Sequence, residues 1–175
     1  AAERLQSHFG PAPSTGIVLG SGLSAVVDRL TNSVEAGYSD LALPDSRVVG
    51  HSGRAIVGHL GRHHVIVMSG RVHLYEGWTP DEVVRSVRAL REWGIERLFV
   101  TSSVGGITTG LVPGSLVSIS DHINLQGSNP LYGLPWGTRF PDLGRAYDPA
   151  LRGALQASAR RLGFELAEGV YAAMP

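Results

Sequence analysis

The sequence predicts an α/β fold, and three observations carry that prediction. Short apolar runs that read as buried strands alternate with segments of helical periodicity. Glycine (23 residues) and proline (10 residues) fall between those runs rather than in one low-complexity tract, which suits many tight loops. Hydrophobic residues make up 43% of the 175 and charged residues 17%, enough apolar material for one domain with a real core.

Taken in order, Gly16-Ile-Val-Leu19 is a short buried strand. It is followed by Gly20-Ser-Gly22 and a short helix from Leu23 to about Leu30. Arg54–Leu60, the turn Gly61-Arg62 and His63–Met68 read as a β-hairpin. The clearest helix starts at Thr79-Pro-Asp-Glu82, a capping box with Thr79 at the N-cap, Pro80 at N1 and Glu82 at N3. Val83, Val87 and Leu90 follow at helical spacing, and Gly94 stops the helix. Leu98–Val100 and Leu116–Ile119 are further strands. Asp148-Pro149 opens a second clear helix carrying Leu151, Leu155 and Leu162, which Gly163 ends, and Glu168–Ala172 is the last strand.

Composition excludes several function classes. Lys+Arg and Asp+Glu both number 15, so no overall basic field attracts nucleic acid or anionic lipid. No cysteine is present, which removes disulfides and thiolate metal sites and is compatible with a cytoplasmic location. No apolar run approaches the ~20 residues of a membrane span. No metal site is expected: His63 and His64 point to opposite faces of a strand, and His51, His59 and His122 lack partners at ligand spacing. A GxSxG nucleophile elbow is absent.

The stretch Ser69-Gly-Arg-Val-His-Leu-Tyr-Glu-Gly-Trp78 sets Arg71, His73 and Tyr75 two residues apart, directly after the apolar run Val65–Met68. In an extended chain these three share one face. That face carries a permanent cation, an imidazole and an aromatic hydroxyl, a set suited to an anionic ligand bearing a sugar or ring. A half-exposed strand end with solvated polar groups is the alternative. Three glycine-rich loops have the same two readings. Gly20-Ser-Gly22 is either an anion-holding strand–helix loop or a plain turn. Gly20-x-Gly22-x-x-Ala25, with Asp40 further on, also fits a loose dinucleotide fingerprint. That reading is rejected because Ser33–Asp40 is too polar for the required second strand. Thr101-Ser-Ser-Val-Gly-Gly106 follows a strand, where α/β ligands gather, and Val49-Gly-His-Ser-Gly-Arg54 places His51 on a loop.

Together GIVLGSGL, GHSGR, SGRVHLYEGW, TSSVGG, SDHINL, NPL and TRFPDLGRAYD run in one order that closely resembles the trimeric class of purine nucleoside phosphorylases, from about Ile17 to the last residue. The methylthioadenosine phosphorylases are a rival within the superfamily, but GHSGR looks more like the nucleoside phosphorylase form.

The resemblance implies a three-layer αβα fold around a mixed, barrel-like twisted sheet, in a single domain spanning 1–175. It implies phosphate binding by Ser21, Arg71, His73 and the backbone N–H of Ser103. Tyr75 would pack at the ribose, Glu76 would steady the phosphate site, and His51 would lie near phosphate and the ribose end. Phe140 would cross to cover a neighbour's nucleoside in a homotrimer. The implied reaction is reversible phosphorolysis of purine (deoxy)ribonucleosides in purine salvage, with inorganic phosphate as co-substrate and no metal or organic cofactor.

Two departures from the family stand out. Its Thr-Asn-Ala-Ala-Gly-Gly loop here has Ser102 for asparagine and Val104 for alanine. The family's base-reading residues fall beyond Pro175, so the expectation is a domain incomplete at its C-terminus, with the literal 175-residue chain inactive. The choice between 6-oxo and 6-amino purines is not encoded in these residues. A phosphate- or nucleotide-binding module without catalysis, and an inactive subunit completing another chain's site through Phe140, are the alternatives.

Overall fold

The apolar run Val65–Met68 lies at the heart of a five-stranded sheet. In the computed structural model, which describes residues 1–46, 53–135, 137 and 140–174, the chain forms two units, Ala1–Val104 and Gly105–Pro175.

The first unit holds β1 (Thr15–Leu19), β2 (Leu30–Gly37), β3 (Arg54–Leu60), β4 (His63–Ser69) and β5 (Arg97–Val100). Their order in the sheet is β2-β3-β4-β1-β5. β1 runs parallel to both β4 and β5, whereas β2–β3 and β3–β4 pair antiparallel. This is the expected α/β class with a mixed sheet. The hairpin is confirmed, with Leu60 opposite His63 and His59 opposite His64.

β4 is apolar at consecutive positions because both of its faces are covered. Ile66 and Met68 join Leu5, Leu90 and Trp93 in one cluster, and Val65 and Val67 pack with Leu19, Val26 and Val27 in another. Each such fully buried side chain contributes roughly 1.5–3 kcal/mol. The first face is covered by α1 (Ala2–Phe9) and α3 (Arg85–Trp93). Trp93 Nε1 donates to Gly10 O at 3.0 Å, tying the two helices' ends together.

The capping box is present as expected: Thr79 Oγ1 accepts from Glu82 N, and Glu82 Oε2 accepts from Thr79 N at 2.9 Å. The helix it starts is interrupted, however. α2 (Pro80–Val83) ends at Val84 and α3 continues. Ala89, Leu90 and Trp93 form the buried face of α3, while Val87 is exposed.

Three further segments qualify the sequence reading. The short helix expected from Leu23 to about Leu30 is a 3₁₀-helix, Ser24–Arg29. α1 carries no signal strong enough to have been read from sequence, since only Leu5 of its eight residues is buried. Leu30–Gly37 is a strand despite its polarity. β2 is an edge strand with a register shift between Thr31 and Val34, so one buried residue, Ala36, suffices to seat it. The dinucleotide reading still fails, because β2 pairs antiparallel with β3 and not beside β1.

Tyr38, just past β2, is 2% exposed and donates to Gly70 O at 2.6 Å. Burial, then the Asp45 carboxylate, pushes its phenol far above the ordinary 10.0. The folded state thus resists an ionisation that the unfolded chain undergoes. The resulting stability is complete below about pH 10 and is lost as pH rises further, by at most ~1.4 kcal/mol per pH unit. Denaturant melts across the alkaline range are expected to show that loss, and Tyr38→Phe is expected to shed this residue's share of it.

The second unit contains β6 (Leu116–Asn124) parallel to β7 (Leu166–Ala173), with α4 (Pro149–Leu162) between them in sequence. Asp148 Oδ1 accepts from Ala150 N and Leu151 N at 2.8 and 2.9 Å, the predicted N-cap. Arg152 and Gln156 reach Glu168 Oε2 and Leu166 O at 2.7 and 3.0 Å, joining α4 to β7. Leu155 and Leu162, from which the helix is read, are exposed; Ala159 is the buried residue of α4. Among the described residues no helix is long and apolar enough to cross a membrane.

Candidate anion site at the strand ends

β4, β1 and β5 are parallel neighbours, so their carboxyl ends, Ser69, Leu19 and Val100, emerge on one edge of the sheet. Ligand sites in open α/β sheets form at such edges. The three chains that leave it carry Arg71-Val-His73, Gly20-Ser-Gly22 and Thr101-Ser-Ser103.

The last two loops lie against each other because residue 20 is glycine. A Cβ there would stand 2.7 Å from Thr101 O and 2.9 Å from Ser102 Cα, both main-chain atoms. Gly20 N donates to Thr101 Oγ1 at 2.8 Å, and Thr101 N donates to Val18 O at 2.9 Å. Ser103 Oγ then donates to Ser21 O at 2.9 Å. Ser21 itself is exposed.

Arg71 reaches into the same place. Its guanidinium donates through Nη1 to Thr101 O at 2.6 Å, through Nη2 to Ser102 Oγ at 3.0 Å and through Nε to His73 Nε2 at 3.3 Å. Arginine has no acceptor, so His73 Nε2 carries the lone pair and Nδ1 the hydrogen. That hydrogen meets Glu76 Oε1 at 3.0 Å, and His73 N donates to the same oxygen at 2.9 Å. The Glu76 side chain is 4% exposed, and its other oxygen accepts from Ser46 Oγ at 3.0 Å.

The expected single face of Arg71, His73 and Tyr75 is partly corrected. Buried Val72 between Arg71 and His73 preserves the alternation for those two. The extended chain stops at His73, and Leu74–Glu76 is a 3₁₀ turn. That turn folds Tyr75 back so that its ring stacks on His73, centroids 4.8 Å apart. Glu76 at the turn's third position closes a capping box onto His73, which is why the turn forms there. Tyr75 remains 80% exposed. The side chains gather, by a different backbone from the one predicted.

Arg71, His73, Glu76, Ser21 and Ser103 therefore share one edge, with Tyr75 beside them. Phe140 belongs to the second unit, where it is 92% exposed. His51 lies outside the described residues. Sequence reasoning passed over Ser46, Tyr38 and the acceptor role of Thr101 and Ser102. The Asn-to-Ser departure at 102 was the available signal. Ser102 Oγ supplies an acceptor for Arg71 at 3.0 Å.

The comparisons with known proteins identify the family of the chain. Residues 14–175 match the family model of the phosphorylase superfamily. The chain is 41% identical over 177 residues to purine nucleoside phosphorylase 1 of Geobacillus stearothermophilus, covering 99% of this chain and 65% of that one. The purine nucleoside phosphorylase of Schistosoma mansoni in complex with acetate superposes with a TM-score of 0.91 at 37% identity, covering 98% of this chain and 66% of its own. The same enzyme in complex with inosine gives 0.85 at 34% identity, covering 98% and 63%. The chain thus spans just under two thirds of the length of the relatives it matches.

Proposed function

This chain belongs to the phosphorylase superfamily, and from that membership we propose that it serves the reversible phosphorolysis of purine (deoxy)ribonucleosides, giving free base and (deoxy)ribose 1-phosphate in purine salvage. The observation that supports this most is Arg71, held by Thr101 O, Ser102 Oγ and His73 where β4 and β5 end. A planar, permanently charged fork is the side chain best matched to phosphate oxygens.

On this reading Arg71 binds two phosphate oxygens, with the Ser21 hydroxyl and Ser103 N–H as further donors. His73 is a further phosphate ligand, its ring held by the Glu76 carboxylate. Tyr75, stacked on His73, faces the ribose beside the phosphate, and His51 lies at the ribose end. A phosphate oxygen attacks C1′ as the bond to the purine nitrogen breaks, and the bonding pair leaves with the base. The sugar is cationic at the transition state, and the fixed phosphate anion stabilises it. Phosphate is a co-substrate, and no metal or organic cofactor takes part. Phe140 covers a neighbouring subunit's nucleoside in a homotrimer, the two units are parts of one nucleoside phosphorylase domain, and the protein works in the cytoplasm.

The test is base release from inosine and guanosine, with and without phosphate, by a protein that carries these residues within a chain of its relatives' length. Phosphate-dependent release of hypoxanthine or guanine is expected. Ligand-induced stabilisation by phosphate without any release would replace this reading by a binding module, and selective cleavage of methylthioadenosine would move the activity to the sister group.

A further inference from the structure

Tyr38 takes no part in the network around Arg71, yet its hydroxyl ends on the peptide that leads into it. The ring is buried beside Gly53, and Tyr38 N donates to Gly53 O at 3.0 Å. Gly53 N in turn donates to Asp45 Oδ1 at 2.6 Å. Tyr38 Oη donates to Gly70 O at 2.6 Å. Gly70 has φ +98°, and a Cβ on it would stand 3.3 Å from Gly53 Cα. It is the residue at which the chain leaves β4 and turns toward Thr101 and Ser102, and Arg71 is the next one. A left-handed glycine has a broad range of accessible conformations. Something outside it must select the one that aims Arg71.

We propose that Tyr38 is a positioning residue for anion binding: its hydroxyl fixes the Gly70 peptide and thereby the direction in which the Arg71 guanidinium enters the strand-end site. The inference rests on the proposed function for its substrate but not for its binding step. The phenol is a donor throughout the neutral range, and burial, then the Asp45 carboxylate, extends that into the alkaline range.

The experiment uses these residues within a chain of the relatives' length, its Tyr38→Phe variant and a control, Leu41→Ala, whose side chain is 1% exposed in the same core cluster and, being apolar, cannot donate to Gly70 O. Each protein is titrated with inorganic phosphate, read as the rise in its melting temperature, and assayed with inosine well below its own midpoint. Tyr38→Phe is expected to weaken phosphate binding and raise the phosphate KM about 3- to 10-fold, the factor that one neutral hydrogen bond is worth. The inosine KM and the kcat at saturating phosphate are expected to stay within about twofold. Leu41→Ala is expected to lower the melting temperature while leaving phosphate binding at the wild-type value. Equal loss in both variants, or none in Tyr38→Phe, overturns the proposal, because either outcome makes Tyr38 a core residue and nothing more. If wild type binds phosphate but releases no base, the proposed function fails while the comparison of phosphate affinities still decides this inference.

Discussion

Arg71→Ala is expected to raise the phosphate concentration for half-maximal turnover about 10- to 100-fold, with a much smaller change in the nucleoside KM. Charge-assisted hydrogen bonds contribute about 1.5–3 kcal/mol each, which converts to that range when one such bond is lost without replacement. The substitution also strips donors from Thr101 O and Ser102 Oγ, so the loop after β5 loses its tie to the chain after β4. Arg71→Lys is expected to recover only part of the loss. A lysine supplies the charge but not a fork able to hold Thr101 O, Ser102 Oγ and an anion in one plane. Initial rates against phosphate at saturating inosine provide the check. A phosphate dependence that does not move in Arg71→Ala would remove Arg71 from the phosphate site.

Gly53→Ala is expected to be the most destabilising single-methyl change in the first unit. A Cβ there would lie 2.1 Å from both Cδ2 and Cε2 of Tyr38. The ring cannot swing aside cheaply, because it is buried in the core and its hydroxyl is committed to Gly70. Nor can Gly53 retreat, since its carbonyl and amide are held by Tyr38 N and Asp45 Oδ1. Overpacking of this kind costs about 1–3 kcal/mol or more. In a chain of this size that lowers the melting temperature by roughly 3–12 °C. Because relief must come from moving Tyr38, the same variant is expected to weaken phosphate binding. A melting temperature within about one degree of wild type would show that the contact relaxes at little cost.

The two substitutions act at opposite ends of one chain of contacts. Arg71 supplies the charge. Gly53 and Tyr38 hold the peptide from which that charge is projected. Loss of binding that exceeds any loss of stability in the first, and a large loss of stability together with weaker binding in the second, is the pattern this arrangement requires.

What could be read from residues alone was whatever local chemistry specifies. The double-faced burial of Val65–Met68, the Thr79–Glu82 box, the Asp148 cap and the Leu60–His63 turn each depend on residues close in sequence. The ordered motifs were likewise enough to place the chain in its family. β2 escaped because an edge strand needs little apolar surface, and its one buried residue, Ala36, makes no periodic signal. Val87 and Leu155 lie on the expected helices yet are exposed, for a related reason. Helical spacing identifies a stripe, but which residues of the stripe are covered depends on what packs there.

The sequence by itself determined the α/β class and singled out Arg71 and His73 as groups suited to an anion. Tertiary structure alone decided how they meet. Parallel pairing of β1 with β4 and β5 brings three distant loops to one edge, and a 3₁₀ turn, not a strand, lays Tyr75 on His73. The absence of a Cβ at Gly20 lets Thr101 and Ser102 come close enough to hold the guanidinium. The physical reason is separation along the chain. Propensity and periodicity act over a few residues, whereas the contacts that aim Arg71 join residues about 30 positions apart, and only folding brings those into reach.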